Sequence, residues 1–294
     1  MLNVYKQITQ NKLKSTLVII FFIAFVSLIG YSLSYLFELG TGYFIFAIIF
    51  SLFSSFTSYF WGDKIVLKLN GANPASRQKY FNFYTVTENL SMANKTPMPR
   101  IYVINSPSMN AFATGRDPQN SVICATTGLL EKLNRTELEG VIGHELSHIK
   151  NYDIRLMMIV SMLIGTLSLL INMAYRTSMF GNKNDNKNNS SSIFAVLGLI
   201  LIIFAPLIAQ LIQFAISRQR EFLADASSVK LTRQPQGLID ALTKITQDPN
   251  IMSTASTATA SLYISNPFKN NKLASLFSTH PPVQDRIRAL QQML

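Results

Sequence analysis

Hydrophobic positions in this chain come in two textures. Four stretches, Ser15–Phe37, Leu39–Gly62, Leu156–Tyr175 and Ile193–Ser217, run for at least twenty residues without a charge. As a helix, each is long enough to cross roughly 30 Å of hydrocarbon. Elsewhere the pattern changes over a shorter scale. Arg100–Ile104, Ala111–Thr114 and Val122–Thr126 are short alternating or apolar runs that predict a small sheet, and Thr96-Pro97-Met98-Pro99 ahead of them reads as an extended linker. Asp63 to Lys95 is mixed and helical in part, with Pro74 an early break, and Gly128–Leu133 predicts a short helix. Leu138, Val141, Ile142, Leu146 and Ile149 then form a stripe at helical spacing, and Thr136 and Glu139 have the spacing of a capping box at its start. Eight residues separate His148 on this helix from the third apolar run, about 12 Å if the chain is helical throughout. After the fourth run the pattern predicts helices at Pro235–Thr246 and Val283–Met293, with a Ser/Thr/Ala-rich stretch, Ser253–Ser261, between them. Pro281 and Pro282 favour a helix start, and Arg286 and Arg288 are expected on its solvated face.

This pattern divides the chain into an N-terminus (1–14), two membrane helices (15–62), a polar part (63–155), two further membrane helices joined by a polar loop at 181–192 (156–217), and a polar tail (218–294). Composition agrees: 48% of the 294 residues are hydrophobic and 14% charged, with a mean hydropathy of +0.23, values that lean toward a membrane protein. The first run is too long for a secretory signal, lacks a small-residue cleavage site and is followed at once by a second, so it reads as an uncleaved anchor. The connection Glu38–Gly42 carries no Lys or Arg, whereas the N-terminus and both polar parts carry most of the 26. The positive-inside tendency therefore puts those parts in the cytoplasm. A net charge of +11 is accounted for by topology and by attraction to anionic lipid, and no nucleic-acid module is visible. With a single cysteine, Cys124, an internal disulfide is impossible. It lies in an apolar strand, where a thiol acts as a small buried hydrophobe.

The chemistry is concentrated in Gly143-His144-Glu145-Leu146-Ser147-His148. At 3.6 residues per turn, His144 and His148 stack on one helix face, so both rings can reach one divalent ion. Glu145 lies beside that ion and is free to take a proton from the attacking water. The plain alternative is a surface helix that happens to carry two histidines. Glu221 and Asp225 also share a helix face, just beyond the fourth run and among arginines. Alone they read as a solvated ion-pair face, but beside the histidine motif Glu221 supplies the third ligand of a His2Glu site. Two spans separate His148 from Glu221, and that even number keeps the three ligands on one side of the membrane. His280 is the third and last histidine. It reads either as a turn or capping residue or as a further site residue.

Together these residues resemble the HtpX family of membrane zinc metalloproteases, related to the CAAX prenyl proteases. The likeness covers the paired N-terminal spans, Asn110–Gly115, Gly143–Asp153, Arg218–Asp225 and Thr279–Pro282. It implies an α-helical membrane protein with an α+β zincin-like (gluzincin) cytoplasmic metalloprotease domain in the bacterial cell membrane. It further implies one Zn2+ held by His144, His148 and Glu221, with Asp225 orienting a zinc-ligating histidine. Glu145 and His280 would be catalytic, His280 contacting the developing oxyanion, and Ala111, Phe112, Ala113 and Thr114 would be an edge strand receiving the substrate backbone. The implied substrates are misfolded or damaged membrane proteins and unfolded polypeptides, with the bilayer as partner. Two other readings stay open, CAAX-type processing and a non-enzymatic, metal-stabilised chaperone or scaffold. The second would need a fourth protein ligand, for which only His280 and Cys124 remain. A transporter is disfavoured because the four runs carry no ionisable groups.

Overall fold

A computed structural model of the chain describes residues 4–36, 41–180, 218–252, 259–265, 267 and 281–294. The polar loop 181–192, the fourth apolar run 193–217, His280 and most of the Ser/Thr/Ala-rich stretch lie outside these residues.

Helices α1 (Val4–Leu36) and α2 (Thr41–Leu69) contain the segments Ile8–Ser32 and Phe44–Leu69, each long and apolar enough to cross a membrane. Their outward faces carry Leu17, Ile20, Leu28, Phe46, Ile49 and Phe53, all more than half exposed. Lipid, and not water, is the solvent that suits such a surface. Strand β1 (Ala72–Pro74) follows, then α3 (Phe81–Asn94), β2 (Arg100–Ile104), β3 (Ala111–Gly115) and β4 (Ser121–Thr126). The spatial order is β1-β2-β4-β3, with β2 and β4 parallel and the outer pairs antiparallel. All three expected strands are present. The fourth, β1, escapes sequence reasoning because Pro74 argues against a strand, yet a proline is tolerated where it leaves one side of an edge strand unpaired.

Alternation along the strands splits the core in two. Ile101, Val103, Ala111, Ala113, Ile123 and Ala125 face a cluster built with α3 and the histidine helix. Ile104, Phe112, Val122 and Cys124 face a second cluster shared with α1, α2 and the helix after the motif. The sheet is thus a partition, α3 and the histidine helix on one face and apolar helix ends on the other.

After α4 (Thr127–Lys132) comes the motif helix α5 (Arg135–Lys150). Its capping box is Asn134 with Glu137: the Asn134 side chain accepts from the Glu137 amide and Glu137 accepts from the Asn134 amide, both at 2.9 Å. The expected pair fails because Thr136 already lies inside the first turn, and Glu139 bonds to Arg135 at 3.1 Å instead. The helix ends at Asn151, and Tyr152 takes a left-handed φ of 60° before α6 (Asp153–Phe180) starts. The chain is therefore not helical throughout between His148 and Leu156. Ile154 and Leu156 to Val160 are buried against the protein.

The tail forms α7 (Arg218–Thr232), α8 (Pro235–Gln247) and α9 (Val283–Gln291). Both α7 and α8 press on α5 where it lacks side chains. A Cβ on Gly143 would come within 2.7 Å of the Ser228 hydroxyl, and one on Gly140 within 2.8 Å of the Leu238 backbone nitrogen. Gly140→Ala is accordingly expected to cost about 1–3 kcal/mol in a denaturation experiment, because helix backbone cannot swing aside. Gly42→Ala, which meets nothing within 4 Å, serves as the neutral control.

Candidate metal centre

Helix α5 brings His144 and His148 together at a T-shaped ring angle of 88°, with their Nε2 atoms 3.1 Å apart. Helix α7 adds Glu221, whose two oxygens lie 3.6 Å from His144 Nε2 and 3.5 Å from His148 Nε2. All three side chains are buried, and their donor atoms lie within 4.8 Å of one another. The far nitrogen of each ring is committed. His144 Nδ1 donates to Asp225 at 2.9 Å and His148 Nδ1 to Asp153 at 3.0 Å. With those hydrogens fixed, the neutral rings point two lone pairs at the same spot as a carboxylate. The two nitrogens lie 3.1 Å apart and each is 3.5–3.6 Å from one of the Glu221 oxygens, close to the spacing of about 3.3–3.6 Å between ligands on a tetrahedron with bonds of roughly 2.0–2.2 Å. The donor set therefore fits a divalent metal ion held by His144, His148 and Glu221.

The surroundings tune these groups. Burial and the Arg286 guanidinium disfavour a charged His144, but its hydrogen bonds to Asp225 and Glu221 outweigh both and raise its pKa to about 9. For Asp225, burial works toward protonation, and Arg286 and His144 overcome it, holding the carboxyl at about 2. Cys124, by contrast, is pushed up by burial alone, as expected of a thiol with no catalytic task.

Two residues of this site escape sequence reasoning. Asp153, in the first turn of α6, folds back onto His148. An acidic residue opening an apolar run was the available signal. Arg286 is the larger surprise. Expected in solvent, it is fully buried, donating to both oxygens of Asp225 at 2.8 and 2.6 Å and lying 3.7 Å from Glu221. The face of α9 decides this, because Arg286 lies one turn before buried Leu290, whereas Arg288 points outward with 77% of its side chain exposed. Glu145 is buried one residue beyond His144, near enough for its charge to be felt by Arg286.

Ala111, Phe112, Ala113 and Thr114 form β3, which lies at the edge of the sheet and is buried on both faces. The 259–265 segment closes part of that edge. Ile264 N–H donates to Ala111 O at 2.9 Å, and Asn110 bonds to Ser265 O.

Residues 82–294 match the model of peptidase family M48. Protease HtpX homologs match nearly end to end. That of Streptococcus thermophilus is 44% identical over 298 residues, covering 98% of this chain and 99% of its own. That of Dictyoglomus turgidum is 43% identical over 289 residues, covering 98% and 94%. The chain belongs to the HtpX family of M48 peptidases. As a family member it is a membrane-associated metalloprotease. The fold is shared with a solved relative: the crystal structure of S. mikatae Ste24p matches at a TM-score of 0.50 with 21% identity, covering 97% of this chain and 67% of that one. In this M48 peptidase, then, the His144, His148 and Glu221 cluster is the candidate metal site.

Proposed function

We propose that the chain is a multi-pass zinc endopeptidase of the cell membrane that hydrolyses misfolded or damaged membrane proteins from the cytoplasmic side. The observation that carries this reading is the donor set itself: three buried ligands, the far nitrogens of both histidines already engaged, next to a carboxylate, Glu145, that a purely structural metal would not need. Among the described residues no fourth Cys, His, Asp or Glu joins the cluster, and Cys124 sits in the other core. Bound zinc would polarise the scissile carbonyl and lower the pKa of water toward about 7.

The chain's own groups do the rest. Glu145 takes the proton from the attacking water and passes it to the leaving amine. Asp225 and Asp153 hold both imidazoles in the tautomer that turns Nε2 inward. Edge strand β3 pairs with an extended peptide through its backbone, which recognises main chain and tolerates many side chains. His280 donates to the oxyanion. His280→Ala should then lower turnover by about 100 to 1,000-fold, with metal content and melting temperature unchanged. Early melting with normal turnover per folded molecule would make it a capping residue.

The test of the whole reading is metal analysis of the purified full-length protein beside a cleavage assay. One zinc per chain, with cleavage of an unfolded membrane protein lost to a chelator and restored by Zn2+, supports it. A metal that stays bound while only prenylated peptides are cut points to CAAX-type processing, and no cleavage of either points to a scaffold.

A further inference from the structure

The carboxylate that orients His148 is held from its other side by the first membrane helix. Asp153 Oδ2 faces His148 Nδ1, and its second oxygen accepts from the Asn11 side-chain amide at 2.6 Å. The same amide donates to Asn151 O, at the cap of α5, at 2.8 Å. Arg220, one position before Glu221, reaches the junction from α7, with Nη1 3.1 Å from Asp153 Oδ1 and 3.4 Å from Asn11 Oδ1. Asn11, Asp153 and Arg220 are all buried. Three elements, up to 209 positions apart in sequence, meet through one asparagine side chain that lies inside the apolar segment Ile8–Ser32.

An amide in such a segment costs free energy unless both its N–H groups and its oxygen find partners. Here all three do, with partners at the cap of α5, in the first turn of α6 and on α7 beside Glu221. Ordinary helix packing explains this poorly. Val18, Phe22, Phe25 and Val26 supply apolar contact further along α1, and Asn11 adds little of that kind. What Asn11 adds is a fixed direction for Asp153, and through it for the His148 ring.

We propose that Asn11 is a positioning residue of the metal centre, so that the first membrane helix completes the site as well as anchoring it. The inference rests on the reading of His144, His148 and Glu221 as metal ligands. Outer partners of metal-bound histidines typically govern 10 to 100-fold in metal affinity. One bond further out, Asn11 is expected at the lower end, about 10-fold.

The experiment uses the full-length protein in nanodiscs with Asn11→Ala and Asn11→Leu. Leucine is of similar size and suits a membrane helix, so it keeps α1 inserted. Zn2+ affinity is measured by competition with a chromophoric chelator, and ligand geometry by the visible absorption of the Co2+-loaded protein. Both variants should bind Zn2+ about 10-fold more weakly, shift the Co2+ bands and lower kcat with KM for a peptide unchanged. The chelated Asn11→Leu protein should melt close to the parent. Combined with Asp153→Asn, Asn11→Leu should cost no further affinity, because both act through one carboxylate. Parental affinity and Co2+ bands in both variants, or losses that simply add in the double variant, would overturn the proposal. If the parent takes up no Zn2+, or His148→Ala binds it as tightly as the parent, the metal-site reading fails and this inference fails with it. An intact parent site with unaffected Asn11 variants sinks the inference alone.

Discussion

Replacing Glu145 with glutamine is expected to reduce peptide hydrolysis by about 100 to 10,000-fold while each chain keeps its metal. The carboxylate is buried beside His144, and the three converging ligands come from other residues. Glutamine keeps the size and hydrogen-bonding reach of the side chain and removes only its ability to accept a proton. Metal content and cleavage rate must therefore separate, which is read by measuring both on one preparation. A variant that lost metal together with activity would make Glu145 a ligand, and one that kept full activity would remove it from the mechanism.

Arg286→Ala is expected to be the most destabilising single change in the tail, by about 3–5 kcal/mol, the usual cost of breaking a buried ion pair and leaving charge behind. Its guanidinium grips both oxygens of Asp225 and lies near Glu221, with no exposure to water. Without it two carboxylates share a dry site with only imidazoles to offset them. Asp225, held at about 2 largely by Arg286, would rise toward protonation and loosen its hold on His144. Arg286→Lys restores the charge but not the two-pronged fork, and should recover only part of the loss. Chemical denaturation of the metal-free and metal-loaded forms gives the number. A change below about 1 kcal/mol in both forms would show that the burial of Arg286 is not energetically coupled to the carboxylates.

Much of this site was legible in the residues alone. His144 and His148 at i and i+4 on a striped helix announce themselves through spacing, and Glu221 follows from the need for a third ligand on the same side of the membrane. The sheet was legible from alternation in Arg100–Ile104 and Val122–Thr126. What stayed hidden depends on tertiary packing. Asp153 reaches both His148 and Asn11 only because the helix breaks at Tyr152 and because α1 lies against that break. Neither fact leaves a local pattern. Arg286 was misplaced for a subtler reason. On a short helix with Asp285 and Arg288, charge looks like solvent, and only the alignment of Arg286 with Leu290 betrays the buried face. The helix start was misread by two residues, since Thr136 and Asn134 both offer a capping side chain and only the backbone shows which one stands outside the first turn.

The shared core beneath the sheet bears on what α1 and α2 do besides anchoring. Phe112, Ile104, Val122 and Leu156 are buried together with Val66 and Leu67 of α2, and Asn70 at the end of that helix accepts from Thr259 at 3.0 Å and Tyr263 at 2.9 Å. Each large apolar side chain stripped of that cover costs about 1.5–3 kcal/mol. Losing α1 and α2 would bare one face of the sheet and take away the Asn11 amide from which Asp153 accepts. The two apolar helices are thus part of the folded core as much as its anchor, and the sheet keeps its shape only in their company.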